Sequence, residues 1–156
     1  MNSLSITSSL APGKVQERSV ESDSPYAPAS HTAALLRSGA AYRRERMEAA
    51  DMIGTDAAAE LAGTSRVTIN AWIKSGRAVG VSHLRRGFKL PRWQFEPAIF
   101  DAIGLISKSL GTTDGWRLLT FLETPSQSLD GLSPRVAAEQ GVPMNRVLAL
   151  AEAEAH

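Results

Sequence analysis

The chain contains no cysteine, and this one absence excludes several kinds of protein chemistry. Without thiols there can be no disulfides, no thiolate zinc site and no cysteine nucleophile. The absence also suits a cytoplasmic protein, which is the location we expect. At 156 residues and 43% hydrophobic content, the chain can still fold as one ordinary domain or two small ones.

Long apolar runs are absent as well. No segment approaches the roughly 18 consecutive apolar residues that a membrane-spanning helix needs. The first residues, "MNSLSITSSLAPGK", lack the basic region and apolar core of a signal peptide. We therefore expect no membrane partner.

The residue patterns of enzymes and metal proteins are also missing. His31, His83 and His156 are dispersed along the chain, and no two of them are close enough in the sequence to share one turn of a helix. The glycines form no phosphate loop with a following Lys-Ser/Thr, and the serines lack a nucleophile elbow. We predict a protein with no enzymatic activity, no metal and no cofactor.

Charge is unevenly distributed, although the net charge is only +1. From Leu61 to Glu96, seven basic residues accompany one acidic residue, which gives +6. The sixty residues before this segment carry −2, and the residues from Pro97 onward carry −3. A basic middle in an otherwise acidic chain is typical of a nucleic-acid contact, and the alternative is an ordinary solvated basic face.

Composition and pattern divide the chain into three parts. Residues 1–30 are rich in Ser, Pro and Ala and bury little, which predicts a disordered N-terminal arm. We predict a DNA-binding domain over 31–95 and a second, helical domain over 96–156. At the start of the second part, Thr32–Met52 has the apolar spacing of a helix, which Gly39 weakens.

Two short helices follow in the stretch "TDAAAELAGTSRVTINAWIKSG". Thr55 is a suitable N-cap for the first helix, and Gly63 is a suitable C-terminal stop. The second helix begins after a cap at Thr64 or Ser65 and ends at Gly76. Two short helices joined by such a turn form a helix-turn-helix, in which the second helix reads DNA.

The second of these helices is amphipathic. Ile69, Trp72 and Ile73 stand at positions i, i+3 and i+4, which predicts a buried stripe. The opposite face carries Arg66, Asn70 and Lys74.

The segment after the second helix predicts a basic hairpin. "AVGVSHL" and "FKLPRWQF" read as two short strands around "RRG", where Gly87 provides the tight turn. A basic hairpin directly after a helix-turn-helix is a wing, whose tip would lie against phosphate or reach the minor groove. The residues predicted to hold it to the helices are Val79, Val81, Leu84, Phe88 and Leu90.

Side-chain chemistry assigns different DNA contacts to these residues. Arg66 is long enough for a bidentate contact with guanine, and Asn70 can pair with adenine. Lys74 and the wing arginines suit phosphate, whereas Thr68 has a second interpretation, partial burial against the first helix. The predicted DNA contacts are Ser65, Arg66, Thr68, Asn70, Lys74, Arg85, Arg86 and Lys89.

From Glu96 onward the pattern is helical and predicts a bundle. A tight turn at Asp130-Gly131 precedes a helix that Ser133 caps and Pro134 opens. The predicted fold is mainly α: a helix-turn-helix with a small β-hairpin wing, followed by a C-terminal helical bundle.

The stretch "GWRLLTFLETPSQSLDGLSPRVAAEQGVPMNRVLALAEA" resembles the C-terminal toxin-binding domain of the Xre/MbcA/ParS antitoxin family. Members show a helix ending in "FL", a "TPN-x-x-L-x-G-x-SP" loop and a closing helix with "VL". The upstream "LPRWQF" is similar to a proline–aromatic–"QF" segment between the two parts of many members. The matching residues are Phe121, Leu122, Pro125, Leu129, Gly131, Ser133, Pro134, Val147 and Leu148.

The chain departs from the family pattern in several places. Ser126 stands where the family usually has Asn, and Val136-Ala137 replaces a Leu-containing helix start. "EQGVPMNRVL" lacks the usual acidic approach to the last helix. The DNA-binding part looks more like a winged or excisionase-type helix-turn-helix than like the longer Cro-like domain of many relatives.

The resemblance implies a type II antitoxin. Such a protein neutralises a co-encoded toxin, often a RES-domain enzyme that depletes NAD, and represses their shared promoter. The implied assembly is a homodimer or a toxin–antitoxin hetero-oligomer. In such relatives the C-terminal end lies at the toxin's active-site cleft, so the candidate toxin contacts are Glu139, Arg146, Glu152 and Glu154.

Two other functions fit the same sequence. One is a stand-alone transcriptional regulator or excisionase-like DNA-bending protein without a toxin, whose tail only dimerises. The other is a small adaptor whose basic face binds an acidic protein. A toxin gene adjacent to this reading frame would favour the antitoxin.

Overall fold

The structure is a computed structural model that describes residues 29–83 and 87–155. The chain divides into two units, Met1–Arg43 and Arg44–His156, and every helix and strand after position 47 belongs to the second. The predicted N-terminal arm falls outside the described residues except at its last two positions, which begin a helix.

Helices dominate the described residues, which confirms a mainly α fold with one small antiparallel sheet. The helices and strands, in chain order, are α1 (Ala29–Met47), β1 (Met52–Gly54), α2 (Thr55–Ala62), α3 (Arg66–Ser75), β2 (Lys89–Pro91), α4 (Ile103–Leu110), α5 (Gly115–Glu123), α6 (Pro134–Glu139) and α7 (Met144–Glu154). Short 3-10 turns cover Arg92–Phe95, Phe100–Ala102 and Gln127–Leu129.

The strand β1 corrects the sequence prediction. A helix was predicted over Thr32–Met52, but α1 ends at Met47 and the chain turns into β1 five residues later. β1 pairs with β2, so that Ile53 lies opposite Leu90. The pairing joins segments far apart in the sequence, and a three-residue strand leaves no periodic pattern of its own.

Two strands were predicted to pair as the wing. Among the described residues, only Val81 and Lys89 pair in this way, as an isolated bridge. Val81 and Lys89 exchange backbone hydrogen bonds of 2.9 and 2.8 Å. After Pro91 the chain enters the 3-10 turn Arg92–Phe95 instead of continuing as a strand. Proline has no N–H to extend a ladder, which accounts for the short pairing.

The sheet separates two hydrophobic cores. In β1, Met52 belongs to the larger core and Ile53 packs against the smaller one, because successive strand side chains point to opposite faces. The smaller core is formed by Ala58, Ala59, Ile69, Ile73, Ala78 and Leu90. The larger core contains residues on both sides of position 96, where the sequence places a domain boundary, among them Val79, Val81, Trp93, Ile99, Ile103, Ile106, Leu118, Leu119, Leu122, Leu129 and Val147.

The fully buried side chain of Gln94 makes the hydrogen bonds to the Val79 backbone that a neighbouring strand would otherwise make. The Val79 N–H donates to Oε1 of Gln94, and Nε2 of Gln94 donates to the Val79 carbonyl, both at 2.8 Å. The same Nε2 donates to the Pro91 carbonyl at 3.2 Å. Buried peptide groups require hydrogen-bond partners, and the single carboxamide of Gln94 is the partner of both the N–H and the carbonyl of Val79.

The connection from α3 to β2 is also held by close contacts with α5. A Cβ on Gly80 would lie 2.5 Å from Cδ1 of Ile73, and a Cβ on Gly115 would overlap the carbonyl oxygen of Gly80. The Trp116 indole N–H donates to the Ser82 carbonyl at 2.9 Å. Only glycine lets these backbones approach so closely, so the connection is fixed against both helices.

The predicted turn and cap before α6 are confirmed. The Ser133 hydroxyl accepts a hydrogen bond from the Val136 N–H at 3.2 Å, and Pro134 is the first residue of α6. Asp130 and Gly131 have positive φ angles of 58° and 84°. In the C-terminal part α4 packs against α7, and α5 packs against α6.

Arg46, in the last turn of α1, joins two carboxylates from distant parts of the chain. Its guanidinium donates to both oxygens of Asp51 at 2.8 Å and to both oxygens of Glu123 at 3.1 and 2.6 Å. The hydrogen bonds from Arg46 lower the pKa of Asp51 below its ordinary value. The hydrogen bonds with Glu123 and Asp51 raise the pKa of Arg46, so Arg46 and Asp51 each favour the charged form.

Replacing Gln94 with leucine removes three hydrogen bonds but keeps a side chain of similar size. We expect the free energy of unfolding to fall by roughly 2–4 kcal/mol, since the buried Val79 N–H and carbonyl lose their partners. Urea denaturation measures the change. Gln140→Leu, at an exposed position, is the matched control and should stay within about 0.5 kcal/mol of the wild type. Equal effects of the two changes would contradict the role assigned to Gln94.

The lowered pKa of Asp51 predicts a pH-dependent contribution to stability. A carboxyl with a lowered pKa stabilises the fold above its ordinary value of 3.8, and this stabilisation is lost as the pH falls below that value. Asp51→Asn should cost about 1 kcal/mol at pH 7, because the half-exposed pair is screened by solvent. Urea denaturation should show this difference shrinking below the ordinary pKa, with exposed Asp101→Asn as the control. A difference independent of pH would disprove the assignment.

Candidate nucleic-acid interface

The helix α3 is held at both ends by the predicted signals. Ser65 is its N-cap, and its hydroxyl accepts a hydrogen bond from the Thr68 N–H at 3.2 Å. Gly76 ends the helix with a φ of 80°. Ile69 and Ile73 are buried in the smaller core. These contacts fix the rotation of α3 about its own axis and turn its other face to solvent.

A three-residue turn, Gly63 to Ser65, connects α2 with α3. Gly63 has a φ of 68° and ends α2 as predicted. The prediction that Thr55 caps α2 is wrong: Gly54 holds the N-cap position and Thr55 is the first helical residue. The α2 residues in the core are alanines, so α3 can pack closely against it.

The predicted polar row borders the buried side of α3 and does not lie on the face opposite Ile69 and Ile73, as the sequence predicted. The Arg66 side chain is 65% exposed, and its Nε lies 3.3 Å from Oδ1 of Asp56 on α2. Asn70 is half-buried, and Lys74 is exposed. Positions separated by four residues lie above one another on a helix, so this row runs along the helix on one side.

Two roles were considered for Thr68, a contact with DNA and partial burial against the preceding helix. Its side chain is half-buried, and its hydroxyl is 3.1 Å from the Ser65 hydroxyl within the cap. The Thr68 hydroxyl therefore already has a partner in the N-cap of α3.

The structure describes only some of the residues predicted to form the wing. Arg85 and Arg86 lie outside the described residues. Lys89 is the first residue of β2 and is half-buried, with its backbone paired to Val81. Phe88, predicted to hold the wing to the helices, is 37% exposed, whereas Val79, Val81 and Leu90 are buried.

Trp72 is less buried than its position in the apolar stripe predicts. Its ring is half-exposed, with the Arg77 guanidinium 4.7 Å above it and the Phe100 ring 5.6 Å away in an edge arrangement. The stripe is therefore narrower than predicted. The cation–π contact holds a basic side chain near the C-terminal end of α3.

Sequence reasoning missed part of the exposed face of α3. Val67 is 78% exposed, and Ala71, one turn later, is also exposed. The signal that could have identified Val67 is its position in the helical repeat. It does not share the i, i+3, i+4 spacing of the buried isoleucines, so it falls on a different side of α3. Asp56, the partner of Arg66, was also not foreseen, since it lies on another helix.

The candidate toxin contacts fall into separate arrangements. Arg146 donates from Nη2 to the Ser128 carbonyl at 2.7 Å and lies 3.6 Å from the Asp130 carboxylate. Glu139 is paired at 2.9 Å with Arg135, whose guanidinium stacks 5.0 Å from the Trp93 ring. Glu152 and Glu154 are exposed on α7. Arg146 thus holds the loop before α6, whereas the two C-terminal glutamates face solvent.

Comparisons of the chain with protein-family models, curated proteins and solved structures give no match. The resemblance of the C-terminal part to the Xre/MbcA/ParS family therefore rests on its residues alone.

The described residues contain neither a metal-binding cluster nor a membrane-spanning helix. No group of three His, Asp or Glu side chains there is arranged to hold a metal ion. No helix in the described ranges has the length and apolarity to cross a bilayer.

The exposed row on α3 predicts distinct effects of mutation on DNA binding. Arg66→Ala and Asn70→Ala should each cost about 1–3 kcal/mol on a preferred sequence and relax specificity, because each removes a side chain predicted to contact a base. Arg85→Ala and Arg86→Ala should weaken binding to all sequences and reduce its salt dependence. Gel shifts with the promoter fragment upstream of this gene measure both effects.

Arg117→Ala is the control for these variants, since Arg117 is an exposed arginine on α5. It should leave DNA affinity unchanged. Binding that is insensitive to all four substitutions would rule out this interface.

Proposed function

We propose that this protein binds duplex DNA through the outward face of α3. The observation that carries the proposal is the polar row on α3, in which Arg66 and Lys74 are exposed and Asn70 is half-buried, on a helix that is capped at its start and buried at Ile69 and Ile73. That helix lies in the part of the chain with a charge of +6. Such a face offers donors for base edges and positive charge for phosphates.

In this proposal α2 and α3 act as a helix-turn-helix. Two features support it: the three-residue turn containing Gly63, and the packing of α3 on the alanines of α2. The basic segment that follows, closed by the Val81–Lys89 bridge, would act as the wing. The N-terminal residues of α3 would then face the base edges of the major groove.

We further propose that the C-terminal helices bind a toxin protein, so that the chain is an antitoxin that represses its own operon. The support is the sequence resemblance, together with the Ser133–Pro134 cap that the family's loop pattern calls for. A RES-type toxin is the partner the resemblance implies. The acidic surface of α7, with Glu152 and Glu154 exposed, suits a partner with a basic cleft.

A stand-alone regulator is the second candidate function. It is favoured by the larger core, which the connection after α3 shares with α4 and α5. In this alternative the C-terminal helices serve to support α3 and to dimerise, and no toxin is bound. The matches in the C-terminal loop would then reflect turn and cap chemistry only.

Co-expression with the product of a neighbouring gene separates the two functions. We expect the full chain to restore growth to cells that express the toxin and to co-purify with it. Glu152→Lys combined with Glu154→Lys should abolish rescue, because it reverses the charge of α7, while DNA binding stays unchanged. Arg66→Ala is the matched control and should rescue fully. Persistent toxicity and no co-purification with the wild-type chain would contradict the antitoxin function.

A further inference from the structure

Val67 is a large aliphatic side chain that the fold leaves in solvent. It is 78% exposed, the highest value among the exposed large hydrophobic residues of the described chain. It is the second residue of α3, directly after Arg66. Valine is not a favourable helix former, and its exposed surface contributes nothing to the core. The Val67 side chain is therefore available for contact with another molecule.

Ala71 extends this apolar surface along the helix. It follows Val67 by four residues, so the two side chains lie one above the other on α3. This apolar row runs beside the polar row of Arg66, Asn70 and Lys74. The alanine methyl is short, so a surface facing the row can approach the helix backbone closely.

The charged residues next to Val67 and Ala71 indicate what kind of molecule contacts these two side chains. Basic side chains flank the row in a segment with a charge of +6, which favours a polyanion. The start of a reading helix is where base edges are contacted in the major groove. The one apolar group on a base edge there is the 5-methyl group of thymine.

We propose, on the basis of the DNA-binding function above, that Val67 and Ala71 contact thymine 5-methyl groups in the major groove. Val67 is then a specificity-determining residue. Arg66 and Asn70 read adjacent base pairs through hydrogen bonds, while the apolar row selects a thymine between or beside them. The preferred site contains a thymine that no hydrogen bond specifies.

The test begins with duplexes selected by the full chain from a random-sequence pool. In the best duplex, each thymine is replaced in turn by deoxyuridine, which removes only the methyl group. At one or two positions we expect a loss of about fourfold in affinity, the effect of one buried methyl group. In Val67→Ser this sensitivity to deoxyuridine should disappear, while the other positions of the site stay selected. Val67→Ile, which keeps the aliphatic surface, should retain the sensitivity.

The outcomes separate this inference from the function on which it depends. If the wild type selects a site that Arg66→Ala weakens, but Val67→Ser leaves the deoxyuridine profile unchanged, the inference fails and the function stands. If Val67→Ser instead abolishes only binding of a protein partner, the row is a protein contact and the inference is wrong. If the wild type selects no sequence, both fail. Circular dichroism of Val67→Ser checks that the exposed substitution leaves the fold intact.

Discussion

The buried carboxamide of Gln94 is the contact on which the placement of α3 depends. It replaces a strand beside Val79, at the point where the chain leaves α3 and enters the larger core. Ala78, one residue earlier, belongs to the smaller core. The hydrogen bonds of Gln94 therefore fix the chain where it passes from one core to the other.

This crossing sets which face of α3 reaches solvent. Ile69 and Ile73 are held in the smaller core, while Gly80, a few residues later, is enclosed between Ile73 and Gly115. With both the helix and the following connection fixed, α3 cannot rotate without breaking one of the two cores. Packing in the two cores, and not local helix propensity, therefore determines which side chains of α3 face solvent.

Local features of the fold could be predicted from the sequence, and distant pairings could not. The caps at Ser65 and Ser133 and the glycine stop at Gly63 depend on neighbouring residues, so single-sequence patterns identify them. The strand β1 was missed because its partner is remote and it has only three residues. Gln94 stands in the segment "LPRWQF" that resembles the family, but nothing in that segment predicted its burial, because its hydrogen-bond partner Val79 is 15 residues away.

The same distinction holds for the candidate interface. Helical periodicity correctly predicted that Ile69 and Ile73 are buried and that Arg66 and Lys74 are exposed, but it did not predict that Asn70 is half-buried. The same periodicity also places Val67 away from Ile69 and Ile73, a signal that the prediction did not use. The ion pair between Arg66 and Asp56 required the packing of α2 against α3.

The most direct test of the account is to map which backbone amides respond when the labelled full chain is titrated with duplex DNA. We predict that the largest chemical-shift changes in the NMR spectrum fall on Ser65–Lys74, at the start and along the outward face of α3. Changes confined to α6 and α7, or saturable binding that leaves the α3 amides unmoved, would contradict the claim that α3 is the DNA-reading element.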